Sequence, residues 1–256
     1  MDRILCLLPL SLALCACSVK EDRSACPCEL SIRSDEPLMT EGSVLVSVFQ
    51  EGSIVRQGML SGEDFDSGKC TVTVPRKPST VTVFTGITLM SAAGGRWLGI
   101  PAEGQCDEVY SCSEPVDPRG DECECTVVLH KNFARLDIAV IGMPEGASLR
   151  IEGSVQGYDL LSLDPCEGDF GCEPEENGAG WRLRLPRQRD DSLTLEVASG
   201  IGTVGTVPLG AIIAACGYSY DEPDLPDMSV TVDLTRKDAF VRVAGWENGE
   251  SYSIVF

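Results

Sequence analysis

The residues that decide the fold are Thr71–Phe84, which read TVTVPRKPSTVTVF. Valine and threonine alternate on both sides of a short turn that contains two prolines, so each run has one apolar face and one hydroxylic face. A period of two is the side-chain period of a β-strand, and β-branched residues favour strands. The stretch therefore predicts two half-buried strands joined by a turn.

Similar runs, separated by turn residues, recur along the rest of the chain. A short helix is predicted at Pro208–Cys216, with proline in its first turn and Gly217 just after its end. Residues 102–124 and 164–180 are rich in acids, Cys, Pro and Gly and are predicted to be loops. The predicted strands are Cys28–Arg33, Val44–Gln50, Ser53–Met59, Cys70–Pro75, Thr80–Gly86, Cys125–His130, Ala134–Ile141, Ser148–Val155, Trp181–Leu185, Ser192–Ala198, Met228–Leu234, Ala239–Ala244 and Ser251–Phe256.

Many short strands with one helix indicate an all-β protein built of sandwiches. The loop at 102–124 is a natural boundary between two halves, each with enough strands for one sandwich. The predicted organisation is a signal peptide at 1–16, a tether at 17–27, an N-terminal sandwich with a Cys-rich loop at 28–125, and a C-terminal sandwich at 126–256.

The N-terminus has the parts of an export signal: a charged start, an apolar run over Ile4–Leu14, and a small residue before a cysteine. The apolar run is too short to span a bilayer, which takes about 20 residues. Leu14-Cys15-Ala16-Cys17 resembles a bacterial lipobox. Cleavage before Cys17 and acylation of its thiol, with palmitate or a similar chain, would produce a lipoprotein. An ordinary cleaved signal with an incidental cysteine is the alternative.

Charge and cysteine content restrict the function classes. A net charge of −20 argues against nucleic acid as a partner, because its binding requires a basic surface. Of thirteen cysteines, Cys6 and Cys15 lie in the signal and Cys17 carries the lipid. An even number of cysteines in an exported chain predicts disulfides, although the pairing is open. A local pair between Cys166 and Cys172 is one possibility. The candidate cysteines are Cys26, Cys28, Cys70, Cys106, Cys112, Cys123, Cys125, Cys166, Cys172 and Cys216.

Three motifs suggest ligand binding but have simpler explanations. The glycines of Gly200–Gly205 match a dinucleotide fingerprint, but Val207 and Pro208 prevent a helix from starting in register, which favours a glycine-rich turn. Arg119-Gly120-Asp121 is an integrin-type tripeptide, and host adhesion through it is a minor hypothesis. The pairs Cys26/Cys28 and Cys123/Cys125 could hold zinc, but disulfides are the better interpretation in an oxidising compartment.

No constellation of catalytic residues stands out. A Ser-His-Asp triad could use only His130, the single histidine, and no nucleophile-elbow motif is present. Forty acidic residues allow many carboxylate pairs, but nothing singles out one of them. The chain is therefore predicted not to be an enzyme, and to use neither a cofactor nor a metal.

Several segments resemble FimB-type anchoring lipoproteins of the type V fimbriae of Gram-negative anaerobes. The family opens with a lipidated cysteine, a short acidic tether, a Cys-Pro step and a first strand, as Cys17–Leu30 does here. His130–Ile138 resembles the strand that opens the family's second domain. Pro208–Tyr218, Met228–Leu234 and Val243–Trp246 resemble its closing region. The high cysteine content departs from the family pattern.

The resemblance implies two tandem transthyretin-like β-sandwiches and a place at the base of a fimbrium. Fimbrial shaft subunits would be the partners, and assembly would use β-strand complementation, in which one chain supplies a strand to another chain's sheet. An anchor would keep its lipid and its first strand, here Cys28–Arg33. Lys20, Glu21 and Asp22 resemble the surface-export signal of lipoproteins in that lineage, with a solvated linker as the alternative.

The sequence thus predicts a lipoprotein of the outer membrane, exposed at the cell surface, that anchors or initiates a fimbrium and takes part in cell adhesion. The alternative is a carbohydrate-binding surface lipoprotein of a glycan-uptake system. That function would require an aromatic platform for stacking against sugars. Trp97, Trp181 and Trp246 are far apart in the sequence, which disfavours the alternative.

Overall fold

The computed structural model describes residues 22–39, 41–92, 95–178, 180–200, 202–244 and 252–255. The predicted signal peptide and Cys17, Lys20 and Glu21 lie outside the described residues. No helix in the described ranges is both long and apolar enough to cross a bilayer. The strands are β1 (Pro27–Ser34), β2 (Ser43–Gln50), β3 (Ser53–Ser61), β4 (Thr71–Pro75), β5 (Ser79–Ile87), β6 (Trp97–Gly99), β7 (Tyr110–Val116), β8 (Glu122–Val127), β9 (His130–Lys131), β10 (Phe133–Ile141), β11 (Ser148–Asp159), β12 (Pro165–Cys172), β13 (Glu175–Asn177), β14 (Gly180–Pro186), β15 (Thr194–Ser199), β16 (Gly202–Val207), β17 (Met228–Asp233), β18 (Asp238–Val243) and β19 (Tyr252–Val255).

The all-β prediction is confirmed. The two helices, α1 (Gly62–Asp66) and α2 (Leu209–Ala215), are short, and α2 lies where the sequence predicts a helix. The side chain of Ser61 caps the start of α1 by accepting a hydrogen bond from the backbone N–H of Asp64. Three apolar residues of α2, Leu209, Ile212 and Ile213, are buried against the C-terminal core.

The first half of the chain forms two sheets that pack face to face. One has the order β4-β1-β8, and the other has the order β3-β2-β5-β7-β9. β1 is the central strand of the smaller sheet, antiparallel to β4 and parallel to β8. The alternate residues of β1 that point inward meet the inner face of the larger sheet. The buried core between the sheets contains Cys28, Leu30, Ile32, Val44, Val46, Val48, Phe65, Cys70, Val74, Val81, Val83, Cys112, Cys125 and Val127.

The second half repeats this arrangement with larger sheets. One sheet has the order β13-β14-β10-β17-β18-β19, and the other has the order β12-β11-β15-β16. β10 is parallel to β17 and antiparallel to β14. Their inward residues form one continuous core, which includes Leu136, Ile138, Ile151, Leu183, Leu185, Leu195, Val197, Val230 and Val241.

A strand from the first half joins the sheet of the second half. β6 pairs antiparallel with β11, which places Leu98 opposite Tyr158 and Gly99 opposite Gly157. A Cβ atom on Gly157 would lie 2.2 Å from the carbonyl oxygen of Leu98, so the close approach requires glycine. A third buried cluster between the halves contains Leu45, Phe49, Phe84, Ile87, Met90, Leu98, Cys106, Val109, Phe133, Tyr158 and Leu160.

This third cluster corrects the prediction that β5 is half-buried. Thr82, on the predicted hydroxylic face, is 0% exposed, and Thr85, on the opposite face, is 1% exposed. One face of β5 packs against the β1 sheet, and the other face lies toward the second half of the chain. The hydroxyl oxygens of both threonines have no hydrogen-bond partner among the described residues.

The two predicted loops are also wrong. Residues 102–124 contain β7 and the start of β8, and residues 164–180 contain β12, β13 and the first residue of β14. β7 pairs with β5 over seven residues, and β12 pairs with β11. Strands pair through backbone N–H and C=O groups. Acidic and Cys-containing segments can therefore form strands wherever a neighbouring strand has unpaired backbone groups. Their composition resembled that of a loop because few of their side chains are large and apolar.

Candidate functional site

Hydrogen bonds hold the first strand, β1, to the segments that flank β4 and β8, its two neighbouring strands. Glu29 donates its backbone N–H to the carbonyl of Asp121 (2.8 Å), and Arg76 donates from Nε to the carbonyl of Pro27 (3.1 Å). Arg76 also forms an ion pair with Asp121. Leu30 and Ile32 are 0% and 1% exposed, so removing the strand would open a long apolar groove in the N-terminal core.

Asp107 and Glu108 connect the 88–90 segment of the first half to β10 of the second half. Asp107, which is 1% exposed, accepts hydrogen bonds from the backbone N–H groups of Thr88, Leu89 and Met90, all at 2.8 Å, and from the Thr88 hydroxyl at 2.5 Å. The next residue, Glu108, forms a bidentate ion pair with Arg135 on β10. Sequence reasoning missed Asp107, because one acid in an acidic stretch gives no signal of its burial.

A cleft of about 710 Å³ lies at the junction of the two halves, on the side where β9 ends. We refer to it as the interdomain cleft. Its walls include Ser111–Glu114 of β7 and three segments of the second half: Ser162–Pro165, Arg187–Arg189 and Tyr220–Pro223. Ligand sites are often found at such domain junctions, and the volume is in the range of typical binding cavities.

Arg187 fixes one wall of the interdomain cleft. Its guanidinium donates to Asn132 Oδ1 (2.5 Å) and to the carbonyls of Glu222 (2.9 Å) and Pro223 (3.1 Å), and it also contacts the carbonyl of Tyr220. Burial lowers the pKa of Arg187. The backbone N–H of Arg187 donates to the Tyr158 hydroxyl (3.1 Å), which itself donates to the carbonyl of Asn132 (2.7 Å). These contacts tie the 220–223 loop to the junction.

The single histidine lies at the edge of the cleft. His130 is in β9, as predicted for a strand residue, and its Nδ1 lies 3.2 Å from Asp224 Oδ2. In the described part of the chain, no group of three or more His, Cys, Asp and Glu side chains is placed to hold a metal ion. Gly202 and Gly205, predicted to belong to a glycine-rich turn, lie in β16, which pairs antiparallel with β15.

The disulfide prediction finds no support, since all ten candidate cysteines are described and all are free thiols. Cys166 and Cys172 lie at opposite ends of β12, six residues apart in extended chain, or roughly 20 Å, so a local disulfide between them is wrong. Burial raises the pKa of Cys106, Cys112 and Cys172 to about 12 and that of Cys70 and Cys125 to about 11. These thiols act as small apolar core residues.

Thiol labelling tests this arrangement. At pH 8 we expect iodoacetamide to modify Cys26 and Cys123 first, because both are partly exposed. The partly exposed Cys166 should react more slowly, because burial raises its pKa. The seven buried thiols should react only after unfolding in urea. Mass spectrometry of protein kept free of reductant measures the labelling of each cysteine, and protein treated with a reductant is the control. If some cysteines are labelled after unfolding only when a reductant has been added, those cysteines form disulfides.

Trp97 and Trp181 do not form an aromatic platform. The Trp97 ring covers Gly99 and Gly157, where a Cβ atom would lie 2.8 and 2.9 Å from its carbons. Trp181 packs against the C-terminal core. Trp246 lies outside the described residues. Both described tryptophans are thus used in packing, which leaves the carbohydrate-binding alternative without its expected feature.

The tripeptide Arg119–Asp121 lies in the turn between β7 and β8. Arg119 donates from Nε to Asp117 (2.6 Å), and Asp121 is the ion-pair partner of Arg76. The turn therefore sits beside the start of β1. Asp22, the one described residue of the predicted export signal, is exposed and accepts a hydrogen bond from the backbone N–H of Ser24 (2.9 Å), which lowers the pKa of Asp22.

Comparisons with known proteins identify the fold. No protein-family model matches the chain, and no curated protein sequence is similar to it. Among solved structures, the fimbrial anchor protein Mfa2 from Porphyromonas gingivalis is similar over 89% of this chain and 100% of its own, with a TM-score of 0.62 and 10% identity. A proposed polysaccharide-binding protein from Bacteroides thetaiotaomicron is similar over 90% of this chain and 98% of its own, with a TM-score of 0.62 and 13% identity.

A proposed adhesin from Bacteroides thetaiotaomicron is also similar, over 86% of this chain and 96% of its own, with a TM-score of 0.58 and 12% identity. The chain therefore has the fold of fimbrial and adhesin proteins, and the expected relationship to fimbrial proteins is confirmed at this level. At 10–13% identity, the similarity shows the fold and does not transfer a partner or a ligand.

Proposed function

We propose that this protein is a surface-exposed lipoprotein of the outer membrane that anchors or initiates a fimbrium. Fimbrial shaft subunits assemble on it by β-strand complementation, and its two sandwiches are transthyretin-like. The observation that carries the proposal is the fold similarity to the Mfa2 anchor, which spans the whole of that chain. The lipobox-like sequence at Cys17 and the firmly held first strand support it.

In this arrangement the lipid is close to the start of β1. Nine residues lie between Cys17 and Pro27, so the ten steps of the tether reach at most about 35 Å. Arg119–Asp121 lies next to Pro27, and Asp121 forms an ion pair with Arg76. This use of Asp121 within the fold disfavours adhesion to integrin through the tripeptide.

A Cys17→Ser variant tests the anchor. We expect it to leave the membrane fraction and to shed fimbriae into the medium, because acyl chains supply the membrane affinity. A Cys15→Ser variant, changed two residues earlier, is the matched control and should stay membrane-bound. Fractionation and electron microscopy measure the outcome. A Cys17→Ser protein that remains in the membrane with attached fimbriae would contradict the lipid anchor.

Affinity purification from the native outer membrane tests the partner. We expect fimbrial subunits to co-purify with a chain whose N-terminal peptide, by mass spectrometry, is acylated at Cys17 and still contains β1. An N-terminus beyond Ser34 would identify a polymerising or tip subunit instead. Recovery of glycan transporters without fimbrial proteins would favour the carbohydrate-binding alternative.

A further inference from the structure

The edge of β7 along the interdomain cleft lacks a neighbouring strand. β9 pairs with Tyr110 and Ser111 of β7, and within the described residues no strand pairs with Cys112–Val116 on that side. Pro115 has no backbone N–H, so it limits the length over which another strand can add. The remaining open edge, Cys112–Glu114, lines the cleft. An extended chain that continued the line of β9 would fill this position.

The walls of the cleft carry negative charge that lacks a counterion. Glu114, Asp164, Asp221 and Glu222 form no ion pair among the described residues, although all four line the cleft. Arg189 is paired with Glu167 at 3.0 Å, and Arg187 is surrounded by carbonyl oxygens and Asn132. The uncompensated charge therefore favours a cationic occupant over an anionic one.

We propose that the interdomain cleft binds an extended, basic segment of a partner protein, which adds as a short strand to the Cys112–Glu114 edge of β7. Backbone hydrogen bonds to β7 give affinity, and Lys or Arg side chains of the segment meet Glu114 and Glu222. The site is separate from the groove that β1 fills, so this chain can keep its first strand and still accept a strand. The inference rests on the proposed function for one point, that the partner is a fimbrial subunit.

Site-specific photo-crosslinking tests this in the full lipidated chain in its native membrane. The photoreactive residue p-benzoyl-phenylalanine replaces Asp164 in the cleft or, as the control position, Glu173 outside it. We expect Asp164 to cross-link to one Lys- or Arg-containing segment of a partner, identified by mass spectrometry, and Glu173 not to do so. Adding Glu114→Lys and Glu222→Lys should lower the yield about tenfold, because like charges then oppose each other.

The pair Glu145→Lys and Glu176→Lys makes the same change of net charge away from the cleft and should leave the yield within about twofold. An unchanged yield after Glu114→Lys and Glu222→Lys, cross-linking to a glycan, or no cross-link at Asp164 would overturn the inference. Fimbrial subunits that co-purify without cross-linking at Asp164 would refute the cleft and leave the anchor standing. A cross-link from Asp164 to a basic segment of a non-fimbrial protein would support the cleft and refute the fimbrial anchor.

Discussion

Replacing Asp107 with alanine is expected to lower the free energy of unfolding by at least about 4 kcal/mol, the largest effect of any exchange outside the apolar cores. The carboxylate is buried and accepts three backbone N–H groups and one hydroxyl. Without it, four donors in the 88–90 segment lose their acceptor, and a buried donor without a partner costs about 1–3 kcal/mol. Urea unfolding followed by tryptophan fluorescence measures the change.

Two further variants make this prediction specific. Asp107→Asn keeps one side-chain oxygen at the same position, so we expect it to lose about half as much stability. Asp117→Ala removes an exposed carboxylate ten residues away and should change stability by no more than about 0.5 kcal/mol. If Asp107→Ala and Asp117→Ala have equal effects, Asp107 does not hold the 88–90 segment in place.

The second large effect is expected in the first strand. Leu30→Gln places a polar amide in the core between the two N-terminal sheets, where Leu30 is fully buried. We expect a loss of about 3–4 kcal/mol, from lost apolar burial and from an amide without hydrogen-bond partners. A urea unfolding curve again measures the change. The dependence of the unfolding free energy on urea concentration should stay the same as in the wild type if the folded core is otherwise intact.

Ser31→Gln is the matched control for Leu30→Gln. Ser31 is the next residue of β1 but points to solvent, so the same glutamine should change stability by no more than about 0.5 kcal/mol. A weakened first strand should also be lost more easily to a protease, and limited proteolysis with N-terminal sequencing would show this. Equal stability of the two variants would mean that β1 contributes little to the N-terminal core.

The strand pattern was readable from the sequence wherever side chains alternate. β4, β5 and β17 lie where period-two runs predict them, and α2 lies between the predicted proline and glycine signals. β7, β12 and β13 were not predicted. Their acidic and Cys-containing residues carry little apolar pattern, and backbone pairing with β5, β11 and β14 is what makes them strands.

The candidate sites divide in the same way. The export signal and the lipidation of Cys17 are predictions from local sequence, and the first strand was predicted there as well, since the signals of all three are contiguous. The interdomain cleft could not be identified, because its walls come from segments about a hundred residues apart, from Ser111 to Pro223. The burial of Asp107 could not be predicted either, because its hydrogen-bond partners at Thr88–Met90 lie far from it in the sequence and come close only in the folded chain.

The amino-acid sequence by itself determined that the chain is all-β, that Thr71–Pro75 and Met228–Asp233 are strands, and that a short helix follows Pro208. These properties follow from the alternation of neighbouring side chains and from the backbone limits of Gly and Pro. Only the tertiary structure decided that Thr82 is buried, that the cysteines are separate thiols, and that β7 keeps an open edge. Burial and strand partners depend on which distant segments pack together, and alternation along one strand does not specify its neighbours.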